Sequence, residues 1–328
     1  LIEEDPSLMT GQLARLGWRI AWEREQFEQA LGMAVNVAED SEDYRDQLWV
    51  SQLRQVRGLD SAEVEAPLRK AISMAPDAPD VWLSLIGFLV REQRIEEAEV
   101  AIGQAESALP KEVLREALGR CFELVGDTDK AEEQYRKDVD DEPTNVARLI
   151  RLSDFYIRYG RLKDAELFLN RIVDPKTKAQ DFAVAWARRR QALQIASSRR
   201  FDDTARALEL LESNIRDRKY ETVADLRAEA AIRANGITHH DHLAAIETYE
   251  QIAAYSPLSQ AEMFRLARLY KLTANWPKCR DLLQLLIADK SDDMILLSFY
   301  ISSLIELDDS LEAEVWLRQM EQKFPNGI

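Results

Sequence analysis

Prolines recur in this chain at an interval of about 34 residues. Pro76, Pro110, Pro143 and Pro175 are 34, 33 and 32 apart, and Pro257 and Pro325 are 68 apart, twice that interval. Small residues keep the same beat. Ala98, Ala131 and Ala165 are 33 and 34 apart, and Cys279 precedes Ala313 by 34. Such a period makes each stretch one supersecondary unit, unable to bury its apolar face alone and stable only when stacked on its neighbours.

Each period holds two apolar stripes at three- to four-residue spacing, as in Leu149, Leu152 and Tyr156, then Ala165, Leu169 and Ile172. That spacing predicts two amphipathic helices. A break such as Gly126-Asp127-Thr128 or Gly160-Arg161 separates them, and glycine accepts the left-handed backbone that ends a helix. The mid-unit alanine lets the second helix approach the first. Proline closes the unit, because it cannot continue the hydrogen-bond ladder. Only 11 glycines and 10 prolines occur in 328 residues, too few for the turns of a sheet protein.

In register, the units carry an aromatic or Leu (Trp82, Leu149), a Leu-Gly pair (Leu118-Gly119), a Tyr or Phe (Phe122, Tyr156, Tyr270), an Ala (Ala98, Ala131, Ala165) and the closing Pro. This pattern resembles the tetratricopeptide repeat (TPR) family. The resemblance implies an all-α fold, an α-solenoid of about nine stacked helical hairpins, wound as a right-handed superhelix with a concave groove lined by the first helix of each unit. Residues 1–328 are expected to form one such array. Degenerate repeats are expected in 1–78, regular ones in 79–178, lengthened irregular ones in 179–259 and regular ones again in 260–328. In the irregular stretch we expect long helices over Phe182–Ser197, Asp203–Asn214, Glu221–Asn235 and His242–Tyr255.

The chain lacks a Gly-x-Gly-x-x-Gly loop, a P-loop, a His-Glu-x-x-His pair and a Gly-x-Ser-x-Gly elbow, so no enzyme is expected and no cofactor. The two cysteines, Cys121 and Cys279, make neither a disulfide framework nor a Cys-x-x-Cys pair, and fit a reducing compartment such as the cytoplasm. A periplasmic or membrane-anchored parent stays open. No apolar run of 18 residues occurs, so no membrane insertion is expected. The acidic start, Leu1 to Pro6, lacks a signal-peptide pattern; a first residue other than Met, and an end at Ile328 soon after a helix-like segment, suggest a piece of a longer protein.

The net charge of −16 argues against nucleic acid as a partner. It is unevenly spread. Val146 to Asn235 holds 19 Lys and Arg against 13 Asp and Glu, a local +6 against −22 for the rest. Arg188, Arg189 and Arg190 fall in this basic middle, with Arg199 and Arg200 after them, and guanidiniums bind carboxylates bidentately. An acidic partner segment could sit there. Equally, three consecutive arginines point around a helix and could pair with Asp181, Asp202 or Asp203.

By the resemblance, the groove-facing positions are Trp49, Leu53, Leu83, Glu116, Arg120, Glu123, Asp154, Trp186, Arg189, Phe264, Arg268 and Lys271. Trp, Phe and Arg among these are residue types that anchor interfaces; packing as core is the alternative for Trp49 and Phe264. The family's chaperone adaptors clamp a carboxylate with Lys, Asn and Arg side chains. The matching places here are Leu83, Gly87, Ala117, Ala147 and Arg151, of which Arg151 alone fits, so no such clamp is expected. The three histidines, His239, His240 and His242, offer a weak metal site, against an exposed loop before a helix Leu243–Ala254 with Thr238 or Asp241 as its N-cap. The expected function is a protein-interaction scaffold taking a protein or peptide partner, with self-association possible through Trp316, Leu317 and Met320. The alternatives are a regulatory or substrate-presenting part of a larger enzyme or export machine, and helical-repeat RNA binding, which the charge disfavours.

Overall fold

The computed structural model describes residues 12–197, 200–218, 222–289 and 293–324, with the side chains of 12–15, 201, 218 and 289 excepted. Leu1 to Pro6, Arg199, Glu221, Pro325 and Ile328, singled out above, lie outside the described residues. Eighteen helices occupy the described residues, with no strand among them. They are α1 (Gln12–Glu23), α2 (Phe27–Asp40), α3 (Tyr44–Val56), α4 (Ser61–Met74), α5 (Pro79–Arg91), α6 (Ile95–Ala108), α7 (Lys111–Leu124), α8 (Thr128–Asp141), α9 (Val146–Arg158), α10 (Leu162–Val173), α11 (Asp181–Ala196), α12 (Phe201–Arg218), α13 (Val223–Ala234), α14 (His239–Tyr255), α15 (Gln260–Leu272), α16 (Trp276–Asp289), α17 (Met294–Glu306) and α18 (Ser310–Lys323). Two compact units divide the chain, Leu1–Phe155 and Tyr156–Ile328.

The proline beat has a structural meaning. α4, α6, α8, α10 and α14 end at Met74, Ala108, Asp141, Val173 and Tyr255, each two residues before its proline. The small-residue beat has one too. Ala30, Ala98, Ala131, Ala165, Cys279 and Ala313 each stand fourth in their helix and are 0–4% exposed. In α12 and α14 the equivalent alanines, Ala207 and Ala245, stand seventh, because each helix carries an extra turn at its start. Burial pushes the Cys121 and Cys279 thiols up to about 12 and about 11, so both act as small packing groups.

Seven hairpins close in one way. The residue with positive φ is Glu25, Gly58, Gln93, Gly126, Gly160, Ala274 or Asp308. The next residue then donates its N–H to a carbonyl five residues back, as Arg94 does to Leu89 at 2.9 Å and Asn275 to Tyr270 at 2.8 Å. This is the six-to-one bond of a Schellman ending. A side chain at positive φ costs about 1–2 kcal/mol that glycine avoids. Gln93→Gly and Ala274→Gly are therefore each expected to raise stability by about 0.5–1 kcal/mol, and Gly126→Ala to lower it by about 1 kcal/mol. Urea midpoints of the three variants check the signs.

Pro67 stands inside α4 and leaves the Glu63 carbonyl without its helical donor. Arg54 of α3 supplies a substitute, its guanidinium donating to that carbonyl at 2.8 Å. In the first unit the main core gathers Trp82, Leu85, Phe88 and Leu89 of α5 with Ala98, Ile102 and Leu118. In the second it gathers Tyr249, Tyr270 and Tyr300 with Leu266, Leu283 and Leu304. The hydroxyls of Tyr135, Tyr270 and Tyr300 donate to Glu123, Glu250 and Glu312 at 2.6–2.7 Å, tying neighbouring helices.

The irregular stretch differs from its expected form in two ways. α13 has an ordinary 12 residues, and the excess length sits in α11, α12 and α14 with 16, 18 and 17. The histidine cluster is not a loop. Thr238 caps α14, exchanging hydrogen bonds with Asp241 in a capping box, so His239, His240 and His242 make up the first turn of the helix.

Candidate interaction groove

In the first unit α5 packs against both α6 and α7, so first helices of successive hairpins lie side by side. Between α3, α5 and the end of α7 runs a groove of about 530 Å³. Trp49 and Leu83 both line it, with Leu48, Gln52, Gln55 and Leu124. Trp49 is 42% exposed and its ring sits 5.3 Å from that of Trp18, so one face is anchored and the other is open. Gly87 forms part of the floor. A Cβ there would meet Arg91 at 3.7 Å and Leu124 at 3.9 Å, ordinary contacts with room to spare.

The polar frame is built from the same helices. Arg91 of α5 donates to Gln55 of α3 at 3.0 Å. Arg45 lies over the Tyr44 ring, 4.9 Å from its centre. The Tyr44 hydroxyl donates to Asp80 at 3.2 Å, and burial, then the Asp80 charge, holds the phenol above its ordinary range. Two arginines against one aspartate give the groove a positive lining in an acidic chain. Sequence reasoning missed Gln52, Gln55, Ser84, Arg91 and Leu124. The signal was there: Asp80, Ser84, Gly87 and Arg91 repeat at four, three and four residues, one face of a helix.

The other expected site residues lie elsewhere. Leu53 corrects the expectation: it is 3% exposed, packed with Trp18, Ala34, Ala38 and Val50, and presents no surface. Arg120 is exposed. Arg151 is committed internally, pairing with Asp138 at 2.9 Å and with Glu116, a link across α7, α8 and α9. Burial raises the Asp138 carboxyl above the ordinary carboxylate range, with Arg148 and Arg151 pulling it back. Arg188 pairs with Asp217, and Arg189 with the buried Asp225 at 2.9 Å. Arg190 lies over the Trp186 ring at 5.5 Å.

In the second unit Phe264 meets the Phe299 ring edge-on at 5.3 Å, and Lys271 lies over that ring at 5.0 Å while pairing with Glu306 at 2.9 Å. Phe264 lines a separate pocket of about 340 Å³ with Leu286 and the 73% exposed Ile295. Arg268 lines a third, with His242. His239 and His240 are exposed, while the His242 Nε2 is 3.0 Å from the Gly236 carbonyl, and no three His, Cys, Asp or Glu among the described residues could hold a metal. No helix among the described residues is long and apolar enough to cross a membrane.

No family model matches the chain, and no curated protein sequence does. Solved structures do. A tetratricopeptide repeat protein from Parabacteroides merdae superposes with a TM-score of 0.51 at 12% identity, over 80% of this chain and 100% of that one. Yeast Tom70 superposes with a TM-score of 0.56 at 14% identity, over 90% of this chain and 60% of Tom70. The chain has a tetratricopeptide-repeat-like fold. A chain of the APC/C hetero-tetramer Cut9–Hcn1 shares it, with a TM-score of 0.51 at 14% identity, over 93% of this chain and 57% of that one. The tetratricopeptide signature residues therefore have identifiable work in this chain: the mid-unit alanines seat the hairpins, Gly119 admits Tyr135, and prolines follow the ends of α4, α6, α8, α10 and α14.

Proposed function

We propose that the chain is a non-enzymatic protein-interaction scaffold, and that the groove on α3, α5 and α7 seats an extended segment of a partner protein. One observation carries this reading: a half-exposed tryptophan stands in a groove with Leu83 and Leu124, over a floor kept low by Gly87. A preformed aromatic anchor gains affinity because little ordering is required on binding. The Gln52 and Gln55 amides offer donors and acceptors to a partner main chain. An acidic segment near the basic middle has less behind it, since Arg188 and Arg189 already hold aspartates. Self-association through α18 draws support from Leu311 and Val315, 83% and 55% exposed.

Peptides selected on the wild-type protein from a random library test the groove. Trp49→Ala is expected to weaken a selected peptide at least ~30-fold, equivalent to about 2 kcal/mol. Gly87→Leu, which fills the floor, should weaken it without lowering the melting temperature. Equal binding by wild type and both variants would sink the assignment.

A further inference from the structure

The third pocket lies wholly in the second unit, between the α13–α14 turn and α15, and does not depend on the groove in the first. It encloses about 200 Å³ and is lined by Asn235, Gly236, Ile237, His242, Arg265 and Arg268 among others, with no carboxylate in its wall. In a chain of 59 acidic residues that is a marked local exception.

Cations around it are matched by acids. Arg227 pairs with Glu262 at 3.4 Å, Arg233 with Glu229 at 2.7 Å, and Lys271 with Glu306 at 2.9 Å. Arg265 and Arg268, exposed and three residues apart on α15, form no ion pair with any described residue, though Arg265 has the Tyr249 hydroxyl as a polar neighbour. The acids that could have neutralised them are occupied. Glu262 closes the α15 capping box with Ser259 as well as holding Arg227. Asp241, behind Gly236, is 8% exposed and holds Thr238. The Gly236 carbonyl, which would repel an anion, has the His242 Nε2 against it at 3.0 Å.

Two planar guanidinium forks at one small opening exceed what one carboxylate needs and suit a dianion with three free oxygens. The rim adds apolar surface: Ile237 and Leu272 are 64% and 60% exposed, placed to touch the carbon chain that carries such a group. We propose that this pocket binds a phosphomonoester, presented on a phosphorylated side chain of a partner protein, with Arg265 and Arg268 as its ligands.

Inorganic phosphate and a short phosphoserine peptide are the probes, titrated calorimetrically at matched ionic strength in chloride, beside the unphosphorylated peptide and its glutamate counterpart. The phosphopeptide is expected to bind at least about tenfold more tightly than the glutamate peptide and than phosphate alone. Arg265→Gln and Arg268→Gln should each weaken it at least about tenfold. Arg268→Lys, which keeps charge but loses the fork, should weaken it too, while Lys271→Gln leaves it unchanged. Far-UV melting confirms that each variant is folded. No binding of the phosphopeptide above the unphosphorylated one, or undiminished binding by the Arg265→Gln, Arg268→Gln double variant, overturns the proposal. Equal affinity for inorganic phosphate overturns the protein-borne source.

Discussion

Replacing Asp225 by alanine is expected to cost about 3–5 kcal/mol, the range for stripping one partner from a buried ion pair. Asp225 sits at the start of α13 with its side chain 2% exposed. One oxygen accepts from Arg189 at 2.9 Å and from the Asn214 amide at 3.2 Å. The other accepts from the Thr222 hydroxyl at 2.6 Å, completing the α13 cap. Its loss would leave a guanidinium that is 17% exposed without a counter-charge, and would loosen α11, α12 and α13 together. Arg189→Met should cost less, because the carboxylate it leaves behind still accepts from the Asn214 amide and the Thr222 hydroxyl and still caps α13. Native-state hydrogen exchange at α13 amides reads the difference. A loss below about 1 kcal/mol for Asp225→Ala would show the network to be dispensable. The result also governs how partner capture is interpreted, since an Arg189→Glu variant that fails to bind would be reporting a broken hairpin stack.

Gly119→Ala should produce the second large effect. A Cβ at Gly119 would sit 2.4–2.8 Å from three ring carbons of Tyr135, whose ring is 1% exposed and fixed through its hydroxyl to Glu123 at 2.7 Å. The ring cannot swing away, so the methyl group overpacks the α7–α8 contact at a cost of about 1–3 kcal/mol. With Tyr135→Ala already in place the sign should reverse. Alanine at 119 then has room and gains helix propensity of about 0.5–1 kcal/mol over glycine. A double-mutant cycle in urea checks this. Additive losses in the cycle would mean that Gly119 is there for some reason other than Tyr135.

What the sequence made legible was what is decided locally. Pro76, Pro110 and Pro143 mark helix ends because a missing N–H acts within one turn. The alanine beat is legible because hairpin approach is limited by one side chain at one position. The beat misled where Ala207 and Ala245 lie one turn further into α12 and α14, since nothing local says on which side of the alanine a helix gains length. The groove was half legible. Trp49 and Leu83 were placed by family position, but Leu53, four residues from Trp49, is rotated about 40° further round α3, enough to turn it into the core. The pairing of Arg189 was illegible because Asp225 lies 36 residues away, on the next first helix. A count of local charge saw a basic middle where the structure has several closed pairs.

That separation of 36 residues recurs. It is also the span from Tyr44 to Asp80 and from Arg91 to Gln55. None of the side-chain links described above reaches further along the chain. On a ribosome adding about 5–20 residues per second, the far partner of each such link is synthesised within about 2–7 s of the near one. Each hairpin can therefore complete its bonds as soon as the next has emerged, and no long stretch of apolar surface must wait for a distant strand or domain to cover it.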